Sequence, residues 1–573
     1  MPSWLEQSGA RATSGSLCTA HGCPRAAIPA ISGLLLKELP SHRRAKGSLV
    51  HTAPPRSPWQ RTEIYTDFTG ESSSGAARLP FRPSSPSPAL NINLHPKTRD
   101  MGYAAPPAPV FLSHSSPDYL GMDEAEKLEY YQRIFDSLSK LQQTFLAAHA
   151  ADVTSSARSR VQCDTSIPFL SVFSSLLRLL KQLVLSVLSN PLGPITDFTN
   201  SCYSLLCYSL IYLALYCFQA FLIFCNLCGL QGYLTVISQK FMEGYGTVSW
   251  DDSTMFENKA HVIQTARPFL SSGLDDRTDP PPSPIELNFC VEVAKTILLM
   301  SAILYEREQA CVERAFETTD DVRLSLLRSE EKMLKAAAEW NCQFTSIADF
   351  QTAKGPFVGA FFDLEARPHP FMVIVFKGTS FQDMSEWIVD TALDLETCAD
   401  QLGAGCAHQG FYSSLFPAPS AREKPSPYLR IIETIRRVAL HVHNEVGIPM
   451  NLYVGGHSLG GAIASLFYAR LLESPEDLGP HTILRDAYCF GTPRGCDSLL
   501  ASRVEYNLAK PANLRRSLWR ISNHSASAKL GDLIAHLPPG MADQRCARSV
   551  IRGGSLLSYA AIGTPFDLEK WAT

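Results

Sequence analysis

The chain has 573 residues, with 51 basic and 55 acidic side chains and a net charge of −4 at pH 7. This length allows several domains, and the near-neutral balance argues against a nucleic acid as partner. The sequence contains no cluster with metal-ligand spacing and no phosphate-binding or dinucleotide-binding glycine motif, so neither a metal nor a cofactor is predicted.

The N-terminal part divides into two segments of different character. Residues 1–118 are rich in Pro, Ser, Ala, Gly and Arg, and we predict disorder because too little apolar surface offsets the entropy of ordering. Residues 119–160 carry apolar side chains at helical spacing and predict an amphipathic helix. These side chains are Leu128, Tyr131, Phe135, Leu138, Leu141 and Phe145. Such a helix either packs against another helix or lies on a membrane surface.

Residues 167–239 form a predicted membrane-associated region. No charged residue occurs between Asp197 and Lys240, and residues 205–230 are almost continuously apolar. This stretch exceeds the roughly 20 residues that cross a bilayer, so 205–230 is a transmembrane candidate. The run 167–188 contains Arg178 and Lys181 and is more typical of an interfacial helix. The alternative for the apolar stretch is a buried core helix. The membrane hypothesis predicts that the protein is located at a membrane.

A Pro-rich linker is predicted at residues 268–285, followed by a domain at 286–573 in which strand and helix patterns alternate. Strands are predicted at 356–364, 370–376, 450–454, 485–490 and 518–522, and helices at 294–305, 428–443 and 460–472. This alternation indicates an α/β domain with a largely parallel sheet.

The sequence Gly-His-Ser-Leu-Gly at 456–460 joins a predicted strand to a predicted helix. Gly-x-Ser-x-Gly in this context is typical of a nucleophile elbow, in which the serine hydroxyl stands at the tip of a sharp turn. Ser458 is therefore the candidate nucleophile, and the alternative is an ordinary tight turn. The Leu459 N–H would serve as one oxyanion donor, and Thr379, in a turn after an earlier strand, would supply the other.

Five motifs in this order resemble the class 3 (fungal-type) lipases of the α/β-hydrolase superfamily. They are Val-Phe-Lys-Gly-Thr at 375–379, His-Gln-Gly-Phe at 408–411, Gly-His-Ser-Leu-Gly-Gly-Ala at 456–462, Phe-Gly-Thr-Pro-Arg at 490–494 and Asp-Leu-Ile-Ala-His-Leu-Pro-Pro at 532–539. The resemblance implies an α/β-hydrolase fold, a lipid ester substrate and no cofactor. It also implies Thr379 in the oxyanion hole, Asp532 as the catalytic acid and Trp387 as a lid residue, unless Trp387 is a plain core tryptophan.

The catalytic histidine is the part that the sequence does not provide. In the family it comes well after the acid, whereas here only His536 follows Asp532, four residues later. We therefore expect the lipase-like domain to be incomplete at its C-terminal end. The first functional hypothesis is a membrane-anchored acylglycerol lipase. The second is an impaired or truncated hydrolase-fold protein that binds lipid without hydrolysing it.

Overall fold

A mostly parallel sheet forms the centre of the protein in a computed structural model. The structure describes residues 111–112, 117–158, 177, 181, 210, 212–221, 224–225, 228, 230, 258–272, 289–317, 321–349, 357–379, 390, 392–417, 425–510, 516–522, 534–538 and 559–567. Within these residues the main sheet has seven strands, in the order β1-β2-β3-β6-β7-β9-β11. They are β1 (Gln343–Asp349), β2 (Phe357–Asp363), β3 (Phe371–Phe376), β6 (Met450–His457), β7 (Thr482–Phe490), β9 (Leu518–Ser522) and β11 (Thr564–Asp567).

Strands β1, β2 and β3 pair antiparallel, and every pairing from β3 to β11 is parallel. Central strands β2 and β3 are buried along their whole length, as expected for a sheet covered on both faces. The predicted α/β class and largely parallel sheet are confirmed. A second, smaller sheet has the order β10-β8-β5-β4. Its strands are Leu395–Thr397 (β4), Cys406–His408 (β5), Cys496–Asp497 (β8) and Tyr559–Ala560 (β10).

Helices cover both faces of the main sheet and bury one apolar cluster on each. Helix Val291–Ile303 contributes to one cluster, and helices Pro427–Val446 and Leu459–Glu473 contribute to the other. These three helices match predicted ones. Further α-helices are Pro117–Leu120, Glu124–Ser137, Lys140–Arg158, Lys259–Leu270, Gln309–Glu317, Val322–Ser329, Glu331–Glu339, Ala399–Leu402, Gln409–Leu415 and Ser498–Ala509.

The segment predicted as one helix at 119–160 contains a break after Ser137. Leu138 is extended, and Ser139 caps the next helix by accepting from the Gln142 N–H at 3.3 Å, while the Gln142 amide oxygen accepts from the Ser139 N–H at 3.2 Å. This reciprocal capping box starts a new helix, which is why the apolar periodicity does not run through. The buried side chains of both helices belong to the core of the sheet domain. For the described residues this agrees with the packing alternative.

Several predicted boundaries fall partly outside the described residues. This is true of 1–118 apart from residues 111–112 and 117–118, and of most of 167–209 and 231–257. The linker boundary is corrected, because helix Lys259–Leu270 runs through Pro268 and buries Leu270 completely. The Asn451 side chain donates to the Leu270 carbonyl at 2.9 Å, which fixes this helix end to β6.

The transmembrane candidate 205–230 is described at 210, 212–221, 224–225, 228 and 230, and residues 212–221 are helical. Tyr212 and Tyr216 are buried there, whereas Leu213 and Phe221 are exposed. In the parts of the chain that the structure describes, we find no helix that combines the length and apolar character needed to cross a membrane.

A buried ion network fastens helix Lys140–Arg158 to β1. The Arg307 guanidinium pairs with Asp349, and both side chains are 4% exposed. His149 lies 2.8 Å from the same carboxylate through Nε2 and 2.8 Å from the Ser346 hydroxyl through Nδ1. Burial alone would raise the pKa of Asp349, but Arg307 and His149 hold that pKa well below its usual range.

We predict that Asp349→Asn destabilises the protein by about 3 kcal/mol at pH 7, because it removes the nearest carboxylate from the buried Arg307 and leaves it the more distant Glu330, at 3.7 Å. A carboxylate whose folded pKa is depressed stabilises fully above its unfolded pKa of about 3.9 and loses this effect as pH falls through the folded value. The difference between wild type and variant in urea unfolding should therefore persist at pH 5 and shrink only in strong acid.

The matched control for this test is Glu433→Gln. Glu433 pairs with Arg437 on the surface, where the two side chains are 57% and 48% exposed. Solvent screens such a pair, so the free energy of unfolding should change by less than about 1 kcal/mol. Equal effects of the two substitutions would contradict a special role for the buried pair.

Candidate active site

Ser458 lies at the turn between β6 and helix Leu459–Glu473. Its backbone has φ 57° and ψ −127°, a conformation that residues other than glycine rarely adopt. Two hydrogen bonds maintain it: the Ser458 N–H donates to the Phe490 carbonyl at 2.9 Å, and its own carbonyl accepts from the Ala462 N–H at 3.1 Å. The predicted strand–turn–helix geometry of a nucleophile elbow is therefore present, with a partly exposed serine at its tip.

The helix after Ser458 begins in close contact with β3. A Cβ at Gly460 would lie 2.1 Å from the Phe376 carbonyl oxygen, a distance that no real side chain tolerates. The helix N-terminus is thereby held behind the serine, with the N–H of Leu459 at its first position. Because the first N–H groups of a helix have no intrahelical acceptor, this one suits a developing oxyanion.

Strand pairing brings Thr379 to the same end of the sheet as Ser458. Strands β3 and β6 are parallel with Phe376 opposite Gly456, so the turn after β3 and the elbow after β6 are neighbours. Gly378 is required in this turn, because a Cβ there would lie 2.0 Å from the Tyr305 hydroxyl and 2.3 Å from the His457 carbonyl. Thr379 itself is buried. The structure thus brings together Ser458, Leu459 and Thr379.

Asp390 and His408 hold Thr379 in place. The Thr379 hydroxyl donates to the Asp390 carboxylate at 2.6 Å, and the Asp390 carbonyl lies 3.2 Å from His408 Nε2. Burial lowers the pKa of His408 to about 3, so its imidazole is neutral at physiological pH. A neutral ring that donates from Nε2 suits a positioning role, and it stacks on Phe411 at 3.8 Å. The Thr379 hydroxyl proton is thus engaged by Asp390, so an oxyanion role for this residue would use its backbone N–H.

Tyr305 is a site residue that the sequence did not indicate. Its hydroxyl lies 2.9 Å from His457 Nδ1, although the two residues are 152 positions apart. Their rings meet edge to face at 5.9 Å, and the same hydroxyl contacts the turn at Gly378. Tyr305 therefore contacts both the elbow, at His457, and the turn at Gly378. No motif flagged it, because it ends a predicted helix whose role depends on tertiary packing alone.

Two predicted site residues, Asp532 and Trp387, lie outside the described residues. Directly after Asp532, the 3-10 helix Ile534–His536 is anchored where the Leu537 carbonyl accepts from the Arg494 N–H at 2.7 Å. Arg494 follows β7, so this hydrogen bond lies near the end of the sheet that carries the elbow.

The described histidines after Ser458 are His481 and His536. His481 precedes β7, whose nine residues span about 30 Å and place it at the opposite edge of the sheet from the elbow. His536 is exposed. Within the described part of the chain, no histidine forms a hydrogen bond with the Ser458 hydroxyl.

One segment of the chain matches a known protein family. Residues 373–541 match the family "Lipase (class 3)", which confirms the resemblance predicted from the five motifs for this segment. No curated protein sequence matches the chain significantly.

Solved lipase structures are also similar to the chain, at low TM-scores. The lipase from Rhizopus microsporus var. chinensis shares 18% identity over 46% of this chain and 76% of its own, with a TM-score of 0.28. The native Rhizomucor miehei lipase propeptide complex shares 17% over 46% and 74%, also at 0.28. Lipase II from Rhizopus niveus shares 16% over 44% and 77%, at 0.26.

We predict that Gly460→Ala destabilises the protein by about 1–3 kcal/mol, because the added methyl group forces the helix away from the Phe376 carbonyl. Alanine in an ordinary helix would instead stabilise by up to about 1 kcal/mol, so the sign of the change reports the close contact. Urea unfolding measures it. Gly495→Ala is the control, since its Cβ would meet only the Phe411 ring at 3.6 Å. A stabilising Gly460→Ala would contradict this account.

Proposed function

From the class 3 lipase match over residues 373–541, we propose that the chain is a serine carboxylic ester hydrolase that acts on di- or triacylglycerols. The observation that supports this most directly is the positive φ of Ser458 beside the buried Thr379 turn. Acyl transfer needs a serine held in place beside two backbone donors. An ordinary turn does not need a strained backbone at its serine.

The proposed reaction begins with attack of the Ser458 hydroxyl oxygen on the ester carbonyl carbon. The N–H groups of Leu459 and Thr379 stabilise the negative oxygen of the tetrahedral intermediate. Removal of the serine proton and its return to the leaving alcohol need a histidine base, which Asp532 would orient. No histidine of this sequence is assigned to that role. Water then attacks the acyl-enzyme and releases the fatty acid. The Asp390 carboxylate and His408 keep Thr379 in position throughout.

A second candidate is a hydrolase-fold protein that binds lipid esters without hydrolysing them. It is favoured by one observation, namely that no described histidine hydrogen-bonds the Ser458 hydroxyl. Without a triad member, catalysis falls to a residual level on the order of 10³–10⁴ over the reaction in water. The two candidates therefore differ in the reactivity of Ser458 and agree in the fold around it.

We predict that a fluorophosphonate probe labels the full-length chain at Ser458 and that Ser458→Ala abolishes both labelling and hydrolysis of a diacylglycerol emulsion. The control is Ser465→Ala in the same helix, whose buried hydroxyl donates to the Ala462 carbonyl at 2.7 Å and should leave labelling unchanged. Mass spectrometry of the labelled peptide identifies the serine. A chain that takes up no probe at Ser458 belongs to the lipid-binding candidate.

We also propose that the chain is held at a membrane through residues 205–230, which would place it where lipid esters lie. The absence of charge from 198 to 239 supports this proposal. We predict that the full chain sediments with cell membranes and stays there after a high-salt wash, because apolar contact does not weaken with ionic strength as charge attraction does. Complete release into the supernatant would contradict membrane attachment.

A further inference from the structure

The helical residues 212–221 and their flanks have two opposite faces. Tyr212, Tyr216 and Gln219 are 0%, 1% and 3% exposed, and they recur every three or four positions along one face. The other face carries large exposed apolar side chains in two pairs, each with a spacing of three positions. They are Leu210, Leu213, Phe221 and Phe224, at 56%, 45%, 48% and 54% exposure. We call these four residues the apolar stripe.

The tyrosine face packs on the hydrolase domain close to the candidate site. Burial raises the pKa of Tyr559 well above its usual range, and the nearby phenols of Tyr212 and Tyr216 add to this effect. Tyr559 donates to the Leu393 carbonyl at 2.7 Å, and its ring centre lies 6.0 Å from that of His408. His408 in turn contacts the segment that holds Thr379. The helix is therefore connected to the turn at Thr379 through Tyr559, His408 and Asp390.

The exposed stripe requires an occupant whose chemistry matches it. Its four side chains offer only hydrocarbon, and the sequence has no charged residue from 198 to 239. A protein partner would ordinarily meet a polar rim with hydrogen-bonding groups, whereas the hydrocarbon of a bilayer matches a surface without charge. The opposite face is buried. The face that carries the stripe is therefore the one that lipid can reach.

We propose that the apolar stripe docks into the acyl region of a lipid bilayer while the tyrosine face stays on the hydrolase domain. The helix then connects the bilayer surface to the site and sets the distance from which a lipid ester enters. Entry of a lipid ester into the site by this route rests on the proposed function. The contact between the apolar stripe and the bilayer does not, since it needs no reaction at Ser458.

The test measures binding of the full-length chain to neutral phosphatidylcholine vesicles by flotation, after cell-free synthesis in their presence. Loss of two leucines from the hydrocarbon should weaken binding, so Leu210→Ser with Leu213→Ser should lower the bound-to-free ratio roughly ten- to hundredfold. The matched control is Leu429→Ser with Leu440→Ser on helix Pro427–Val446, where the leucines are 52% and 48% exposed. This control should bind as wild type does.

A second stripe variant, Phe221→Ser with Phe224→Ser, guards against misfolding of the first and should lose binding to a similar extent. The proposal is overturned if both stripe variants float like wild type, or if the control loses as much binding as they do. It is also overturned if the stripe substitutions abolish self-association of the chain and leave vesicle binding intact, because the occupant is then a second copy.

A Ser458→Ala chain separates this proposal from the enzymatic one. It should bind vesicles as wild type does. If hydrolysis proves absent and the stripe variants still lose binding, the proposed activity fails and the docking contact stands. If the chain hydrolyses a water-soluble ester and the stripe variants bind fully, the docking contact fails alone.

Discussion

The site depends on one close contact, between the first turn of helix Leu459–Glu473 and the carboxyl end of β3. The Gly460 Cα approaches the Phe376 carbonyl so nearly that no side chain fits between them. This contact holds the helix N-terminus behind Ser458 and brings the turn at Gly378 beside it. The left-handed backbone of Ser458 costs of order 1–3 kcal/mol and persists because the strand before it and the helix after it are both packed in the core.

From that contact a chain of interactions extends outward through the smaller sheet. Thr379 bonds to Asp390, Asp390 to His408, and the His408 ring lies near Tyr559 on β10. Thr379, His408 and Tyr559 are buried and Asp390 is half-buried. An unmade hydrogen bond in buried surroundings costs about 1–3 kcal/mol. The turn at Gly378 and Thr379 is therefore positioned by elements on both sides: by Tyr305 and His457 on one, and by the smaller sheet on the other. Groups held in place in this way meet the condition that the proposed oxyanion donors require, because such donors must be fixed before a substrate arrives.

Local patterns predicted the elbow and most central strands, because those strands are runs of buried aromatic and β-branched residues bounded by glycine or proline. Strand β1 was not predicted, since Gln343, Thr345 and Ser346 interrupt its apolar pattern and it forms by pairing with β2. The role of Tyr305 was also beyond reach, because its contact with His457 depends on the packing of a helix far away in the sequence. The break at Ser139 did have a local signal, the Ser-x-x-Gln capping box, but the apolar periodicity across it was stronger.

The folding unit reaches well beyond the residues that match the lipase family. Residues 373–541 omit β1, β2 and helix Val291–Ile303, so β3 would lose one of its two paired strands and the helix over one face of the sheet. Further out, the Tyr130 and Tyr131 hydroxyls donate to Glu331 at 2.9 and 2.7 Å, and His149 joins the pair of Arg307 and Asp349. Buried polar contacts of this kind are costly when half made, so they help to tie the preceding helices to the domain. Helix Lys140–Arg158 packs on β1, which supports the strands before Thr379 and Ser458 through its pairing with β2 and the pairing of β2 with β3.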